Sequence, residues 1–407
     1  MAEKKKKSKQ WLRPHHRVVV AVIKPVFAPV IRWMYGIQTD PFKEQGDRNY
    51  LVLLNHQTPF DQFFVYMSFR GPLYFVATED IFSKGWISSL IRWLANPIPI
   101  KKQTTDISAV MNCIRVAKEG GTIAIAPEGN RTYNGKTVYM NPAIAAMAKR
   151  MKLPIALYRI EGGYGVQPRW SDKIRKGKMR GYVSHVIEPE EYKDMTPEEL
   201  MMEIQRGLDV DESQIEGIYR SKRKAEYMER VVYTCPYCGF SKFESQGNET
   251  ECMTCHRKIS YGEDKKLRGV GFDFPFTYMC EWYDHQEEFI HGMDPQDHVT
   301  APVFTDKAAL MEVILKKKKQ PLRDSAIFAL YGDRITIDEG TEQETVIPFG
   351  EVTSMAVLGR NKLNIYHDQR VFQVKGDCRF NALKYVNFYH RFKNSTTGEE
   401  NGKFLGL

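Results

Sequence analysis

A histidine and an aspartate stand five residues apart in Asn55-His56-Gln57-Thr58-Pro59-Phe60-Asp61, directly after the apolar run Tyr50-Leu51-Val52-Leu53-Leu54. A carboxylate that accepts a hydrogen bond from one imidazole nitrogen leaves the other as a base near neutral pH. Such a pair can take a proton from an alcohol without a serine or cysteine nucleophile. Each residue also has a plainer reading. Asp61, three residues after Thr58, stands where an acid satisfies free amides at a helix start, and His56 alone is an ordinary loop residue. A second cluster, Pro127-Glu128-Gly129-Asn130-Arg131-Thr132, follows the apolar run 122–126. Arg131 offers a planar fork suited to a phosphate, and Gly129 lets backbone approach a ligand closely; standing alone, the cluster is a polar turn. A third set, Cys235-x2-Cys238 and Cys252-x2-Cys255, supplies two thiolate pairs for a tetrahedral ion, zinc ahead of iron, as in a ribbon with a structural metal. With four of the seven cysteines so paired, the pattern points to a metal and a reducing compartment, not to a disulfide framework. His256, beside Cys255, reads as solvent-facing and not as a fifth ligand.

For the first two clusters to meet, the apolar runs before them must lie side by side. Residues 50–54, 73–77, 97–100, 122–126, 154–160 and 179–187 read as strands. Residues 59–69, 86–94, 106–118 and 142–151 carry helical spacing, and Gly120-Gly121 stops the third of these. Thr58 is the expected N-cap of the first helix and Pro59 its first residue. This alternation specifies an α/β domain with a mostly parallel sheet flanked by helices, where ligands gather at the carboxyl ends of the strands. His56 and Glu128 each follow a strand, so both are placed to line one site. Thr196-Pro197-Glu198-Glu199 opens a further helix to about residue 208. Beyond the cysteine pairs, aromatics dominate 272–291. Short strand patterns between 326 and 375 then lead to a helix with Phe380, Leu383, Val386, Tyr389 and Phe392 on one face. The expected organisation is a basic, apolar segment over 1–40, the α/β domain over 41–220, a zinc ribbon over 228–265, an aromatic-rich connecting helix over 266–299, a small β-barrel-like domain closed by a C-terminal helix over 300–394, and a tail over 395–407.

With 42% hydrophobic residues, a chain of 407 can bury cores for two or three domains, and a net charge of +9 favours an anionic partner. Lys4 to Lys7 precede the first apolar stretch, and Lys316 to Lys319 read as a solvated run. Residues 18–34 are interrupted by Lys24, Pro25, Pro29 and Arg32, so no unbroken apolar stretch reaches the roughly 18–20 residues that span a bilayer. With Trp11, Trp33 and Tyr35 around it, this segment reads as one lying in a membrane interface, a core helix being the alternative. No secretory signal is evident. No nucleic-acid partner is expected, because the basic run 220–224 lacks an accompanying aromatic stacking pattern.

Together, Asn55-His56-x4-Asp61 and Pro127-Glu128-Gly129-x-Arg131 resemble the glycerolipid acyltransferases, especially the 1-acyl-sn-glycerol-3-phosphate acyltransferase family. Ile98-Pro99-Ile100-Lys101-Lys102 and Leu153-Pro154-Ile155-Ala156 look like two further motifs of that family, and the resemblance covers roughly residues 15–210. It implies an O-acyltransferase on the cytoplasmic face of a membrane, peripheral or monotopic, bound to a surface with anionic lipids. His56 would be the general base on a glycerol hydroxyl, Asp61 would orient it, and Glu128, Gly129, Arg131 and Lys102 would hold the acceptor. The donor would be acyl-coenzyme A or acyl carrier protein. The acceptor would be a lysophospholipid, foremost 1-acyl-sn-glycerol-3-phosphate, converted to phosphatidate; the alternatives are glycerol-3-phosphate, another lyso-lipid, or a non-catalytic membrane adaptor. Two positions depart from the family pattern. Lys102 stands where arginine is usual and loses the bidentate fork. Thr78 stands where a lysine is common and offers only a neutral donor to a thioester oxyanion. Residues 300–394 weakly resemble a pleckstrin-homology-like domain. Cys113, within a helical pattern, reads as core.

Overall fold

The structure, a computed structural model, describes residues 10–78, 81–82, 86–100, 107–314 and 319–397. The chain divides into two compact units that interleave along the sequence. The first comprises residues 1–129, 140–160 and 179–209; the second comprises 130–139, 161–178 and 210–407.

The first unit is built on seven strands, β1 (Ile37–Thr39), β2 (Leu51–Leu54), β3 (Leu73–Thr78), β4 (Ile98–Ile100), β5 (Thr122–Ile125), β6 (Ile155–Glu161) and β7 (Met179–Ile187), in the order β1-β7-β6-β2-β5-β3-β4. The β2–β5, β2–β6, β3–β5 and β3–β4 pairs are parallel. Every residue of β2 is buried, as a central parallel strand covered on both faces requires. The helices that accompany the sheet include α1 (Pro14–Tyr35), α2 (Asp61–Ser68), α3 (Trp86–Leu94), α4 (Ile107–Lys118) and α5 (Ala143–Met151). Ala109, Cys113 and Val116 are the buried residues of α4, spaced i, i+4, i+7, and the latter two share a core with Leu51, Leu53, Ile123 and Ile155 of the sheet and with Leu200, Ile204 and Leu208 of the helix Pro197–Leu208. Gly120 ends α4 in the left-handed region, φ +84°, and the Gly121 amide then caps the Val116 carbonyl. Burial pushes the Cys113 thiol up to about 12, so it is an inert core residue.

Two expectations for this unit need correction. The segment around Pro25 and Pro29 is not broken but forms one 22-residue helix, long and apolar enough by length and composition to cross a bilayer. The prolines lie four residues apart, so their missing donors fall on one side and the rest of the ladder continues. Lys24 and Arg32 do not interrupt the apolar surface either, because Lys24 donates to the Phe69 carbonyl (2.9 Å) and Arg32 to the Thr39 hydroxyl (3.0 Å). The second correction is the start of α2, which begins at Asp61 with Phe60 in the capping position and not at Pro59.

The second unit holds the cysteine pairs and the β-rich C-terminal half. A hairpin of β8 (Thr234–Cys235) and β9 (Gly239–Phe240) precedes a four-stranded antiparallel sheet of β10 (Phe243–Gln246), β11 (Glu249–Cys252), β12 (Lys258–Tyr261) and β13 (Leu267–Gly269). The ribbon's sheet thus runs past residue 265. After the helix Met279–Gly292 comes a curled antiparallel sheet of β14 (Phe304–Glu312), β15 (Gln320–Leu330), β16 (Arg334–Ile337), β17 (Thr345–Pro348), β18 (Val352–Leu358), β19 (Lys362–His367) and β20 (Arg370–Gly376), ordered β17-β16-β15-β14-β20-β19-β18. The last helix, Leu383–Thr397, packs on β18 and β19 and extends beyond the expected start of the tail at 395. One apolar core joins Trp170, Phe243, Trp282, Phe304, Phe349 and Tyr389, so ribbon, connecting helix and curled sheet share an interior where the sequence suggested separate segments. Lys4 to Lys7, Lys102 and Lys316 to Lys318 lie outside the described residues; Lys319 donates to Gln373.

Candidate active site

Because β2 and β5 are parallel neighbours, their carboxyl ends deliver His56 and Glu128 to the same edge of the sheet. The loop between β2 and α2 is organised around Asp61, which is 2% exposed. Its Oδ2 accepts from His56 Nδ1 (2.6 Å) and the Gln57 amide (2.9 Å). Its Oδ1 accepts from the Thr58 amide (3.0 Å) and the Thr58 hydroxyl (2.6 Å). This capture of two amides explains the late start of α2. The residues before Asp61 form a turn closed on its carboxylate, and the Thr58 hydroxyl accepts the Phe60 amide instead of capping a longer helix. With Asp61 accepting, Nδ1 of His56 carries the proton and Nε2 is the nitrogen able to receive another. The imidazole stays partly open to solvent while Asp61 is buried.

Glu128 is 3% exposed, and its Oε1 accepts the His56 amide at 2.6 Å. It therefore braces the histidine loop from the adjacent strand, a role the sequence did not indicate. Asn55 is a second such residue. Its side chain donates to the Ile160 carbonyl (2.8 Å) and accepts the Ile160 amide (2.7 Å), pinning the end of β2 to β6. The available signal was a polar side chain closing a run of four fully buried apolar residues. Gly129 takes φ +69°, a conformation costly for any residue with a Cβ, as the chain turns out of β5.

His56, Asp61, Glu128 and Gly129 all belong to the first unit; Arg131 belongs to the second. There the buried Arg169 gathers the segment that carries it. Its guanidinium donates to the Arg131 carbonyl (2.9 Å), the Asn130 side chain (3.4 Å) and the carbonyls of Val357 and Gly359 (both 3.2 Å), and it lies 4.0 Å over the Tyr133 ring. Nothing in the sequence around Arg169 signals this role.

Cys235, Cys238, Cys252 and Cys255 converge with all four Sγ atoms within 4.8 Å of one another. Thiolates around a tetrahedral ion with bonds of about 2.3 Å stand about 3.8 Å apart, and the Cys235–Cys255 and Cys238–Cys252 pairs measure 3.8 and 3.5 Å. The donor set and its spacing fit a closed, structural zinc. His256 turns away and pairs with Glu251 (3.0 Å).

Residues 37–160 match the family model described as Acyltransferase. Among curated proteins, the chain is similar to the 1-acyl-sn-glycerol-3-phosphate acyltransferase of Bacillus subtilis (strain 168), 20% identical over 136 residues. That alignment covers 33% of this chain and 65% of the relative, so the chain spans somewhat less than two thirds of the relative's length. Among solved structures, it is similar to the 1-acyl-sn-glycerophosphate (LPA) acyltransferase PlsC from Thermotoga maritima, with a TM-score of 0.40 and 20% identity over 48% of this chain and 82% of that one. A second likeness is to the N-terminal PH domain of human ARAP2, with a TM-score of 0.17 and 16% identity over 23% of this chain and 81% of that domain.

Proposed function

Because the chain belongs, through residues 37–160, to the acyltransferase family, we propose that it is a membrane-surface O-acyltransferase. It moves a fatty acyl group from an acyl thioester, on coenzyme A or acyl carrier protein, to the free hydroxyl of a lysophospholipid, with 1-acyl-sn-glycerol-3-phosphate as the foremost acceptor. The observation that carries this reading is the His56–Asp61 pair at the end of β2, braced by Glu128 from the end of β5. Nε2 of His56 takes the proton of the acceptor hydroxyl while Asp61 steadies the imidazolium that forms. The oxygen attacks the thioester carbonyl, an ester bond forms, and the carbon–sulfur bond breaks. The departing sulfur takes the proton back from His56, giving phosphatidate and a free thiol. No acyl-enzyme forms, in keeping with the inert, buried Cys113. Arg131 and Lys102 hold the acceptor's phosphate, and the tetrathiolate holds a zinc that folds the ribbon.

The test is thiol release by purified, metal-replete protein given an acyl thioester and a panel of acceptors: 1-acyl-sn-glycerol-3-phosphate, glycerol-3-phosphate and neutral lyso-lipids. Release should depend on the phosphorylated lyso-lipid and should vanish in His56→Ala with folding intact. Absence of transfer to every acceptor, or full turnover by His56→Ala, overturns the reading.

A further inference from the structure

Arg131, the residue offered to the acceptor's phosphate, sits on a segment anchored within the second unit, which joins 130–139 to 161–178 and 210–407. Arg169, only 2% exposed, reaches two separate stretches of that unit with one planar fork. On one side it donates to the Arg131 carbonyl (2.9 Å) and to the Asn130 side chain (3.4 Å). On the other it donates to the carbonyls of Val357 and Gly359, both at 3.2 Å. Val357 belongs to β18, an edge strand of the curled sheet, and Gly359 to the turn that follows, at φ +68°.

Three residues further on, the contact is returned. Asp172 accepts from Arg360, the neighbour of Gly359, at 2.8 Å, and from the buried Arg230 at 2.7 and 3.1 Å. Each side of the joint thus lends the other an arginine. Tyr133 is fixed as well: Arg169 lies 4.0 Å over its ring, and its carbonyl accepts from the Tyr164 hydroxyl (3.1 Å). The chain is therefore held both before and after Arg131. All four acceptors of Arg169 are neutral. A buried cation without a carboxylate is costly for a joint that only closes a loop. A ligand-gripping side chain, in contrast, needs its backbone held to within about 0.5 Å.

We infer that Arg169 is a positioning residue for the phosphorylated acceptor, and that the curled C-terminal sheet takes part in holding that acceptor. Arg169 acts through Arg131: it ties the backbone beneath Arg131 to the β18–β19 turn, and Asp172 with Arg360 closes the same joint. The effect falls on acceptor affinity and not on the proton transfer at His56. The C-terminal half is then a working part of the acceptor grip. This deepens the proposed function and rests on it for one point, that Arg131 holds the phosphate.

The test measures acyl transfer to 1-acyl-sn-glycerol-3-phosphate by the full, metal-replete chain carrying Arg169→Lys, Arg131→Ala or both. Lysine keeps the charge and loses the fork, so Arg169→Lys should raise the acceptor KM about 10-fold and leave kcat within about 2-fold. In the Arg131→Ala background the same substitution should add less than about 2-fold, because it acts through a residue already removed. Arg360→Ala, at a half-buried turn position, should raise KM about 2- to 5-fold, and it carries the test if the buried substitution does not fold. Hydrogen exchange reads the joint without turnover: the amides of 130–133 should exchange about 10-fold faster in Arg169→Lys. A raised KM in Arg131→Ala with unchanged KM in Arg169→Lys and Arg360→Ala overturns the inference and leaves the proposed function standing. Full additivity of Arg169→Lys and Arg131→Ala, or unchanged exchange at 130–133, also overturns it. An unchanged KM in Arg131→Ala removes the phosphate role of that residue, and this inference with it.

Discussion

Replacing Asp61 by asparagine changes one atom and tests the whole arrangement of the histidine loop. The carboxylate accepts four hydrogen bonds, two on each oxygen, from donors at 2.6 to 3.0 Å. An asparagine offers one acceptor oxygen and one donor nitrogen. If the oxygen keeps the Thr58 amide and hydroxyl, the amide nitrogen faces the Gln57 N–H and His56 Nδ1. The Gln57 donor is then buried without an acceptor, at a cost of about 1–3 kcal/mol. The histidine escapes its donor–donor clash only by moving its proton to Nε2, the nitrogen that must receive the substrate proton. Flipping the amide restores the histidine but leaves the Thr58 amide facing a donor. Either way the base or the loop is lost, so kcat should fall by about 10²–10⁴, the usual worth of a positioned general base. Stability should fall by about 1–3 kcal/mol. The assay is thiol release from an acyl thioester at saturating acceptor, with urea unfolding run on the same preparations. An Asp61→Asn protein that turns over within about threefold of the unsubstituted enzyme would refute the tautomer argument, even if His56 proved essential.

Two further outcomes follow from the second unit. Stripping metal from the four cysteines should release about one zinc per chain and abolish the near-UV signal of Trp282, which lies in the core the ribbon shares with the curled sheet; loss of zinc with an unchanged melting curve would separate ribbon and core. Burial, followed by the charge of Asp284, pushes the Glu287 carboxyl up to about 7 from its ordinary 4.5. The folded chain therefore keeps a proton that the unfolded chain releases between those values, and stability falls as pH rises through that window. Glu287→Gln removes this cost, so its advantage should be small near pH 5 and reach about 1–3 kcal/mol by pH 8; a pH-independent difference would contradict it.

Much of the first unit was legible because its signals are local. A fully apolar run before His56 and another before Glu128 announce buried parallel strands, and adjacent parallel strands bring their ends together. What remained hidden depended on side chains choosing partners far along the chain. The start of α2 moved because Asp61 closes a turn on the Gln57 and Thr58 amides ahead of the helix. Glu128 and Asn55 look like ligand-facing or neutral loop residues until His56 and Ile160 are found opposite them. The strand Phe304–Glu312 escaped notice because alanine, leucine, methionine, lysine and glutamate are helix formers, and only pairing with both β15 and β20 makes them extended. The continuity of α1 was masked by two prolines whose four-residue spacing limits their damage to one side.

The interleaving of the two units has a consequence for how the protein is made. Residues 130–139 and 161–178 emerge from the ribosome in the middle of the first unit, yet they pack with residues beyond 210. Synthesis of the roughly 200 residues that follow takes about 10 to 40 s. For that interval the sheet of the first unit can form, while Tyr133, Tyr164 and Trp170 wait for the core they share with the C-terminal half. A nascent chain in this state exposes aromatic loops beside a nearly finished domain, which makes it a client for chaperones. Cutting the chain after residue 209 would freeze it there, and the expected product is an aggregating fragment.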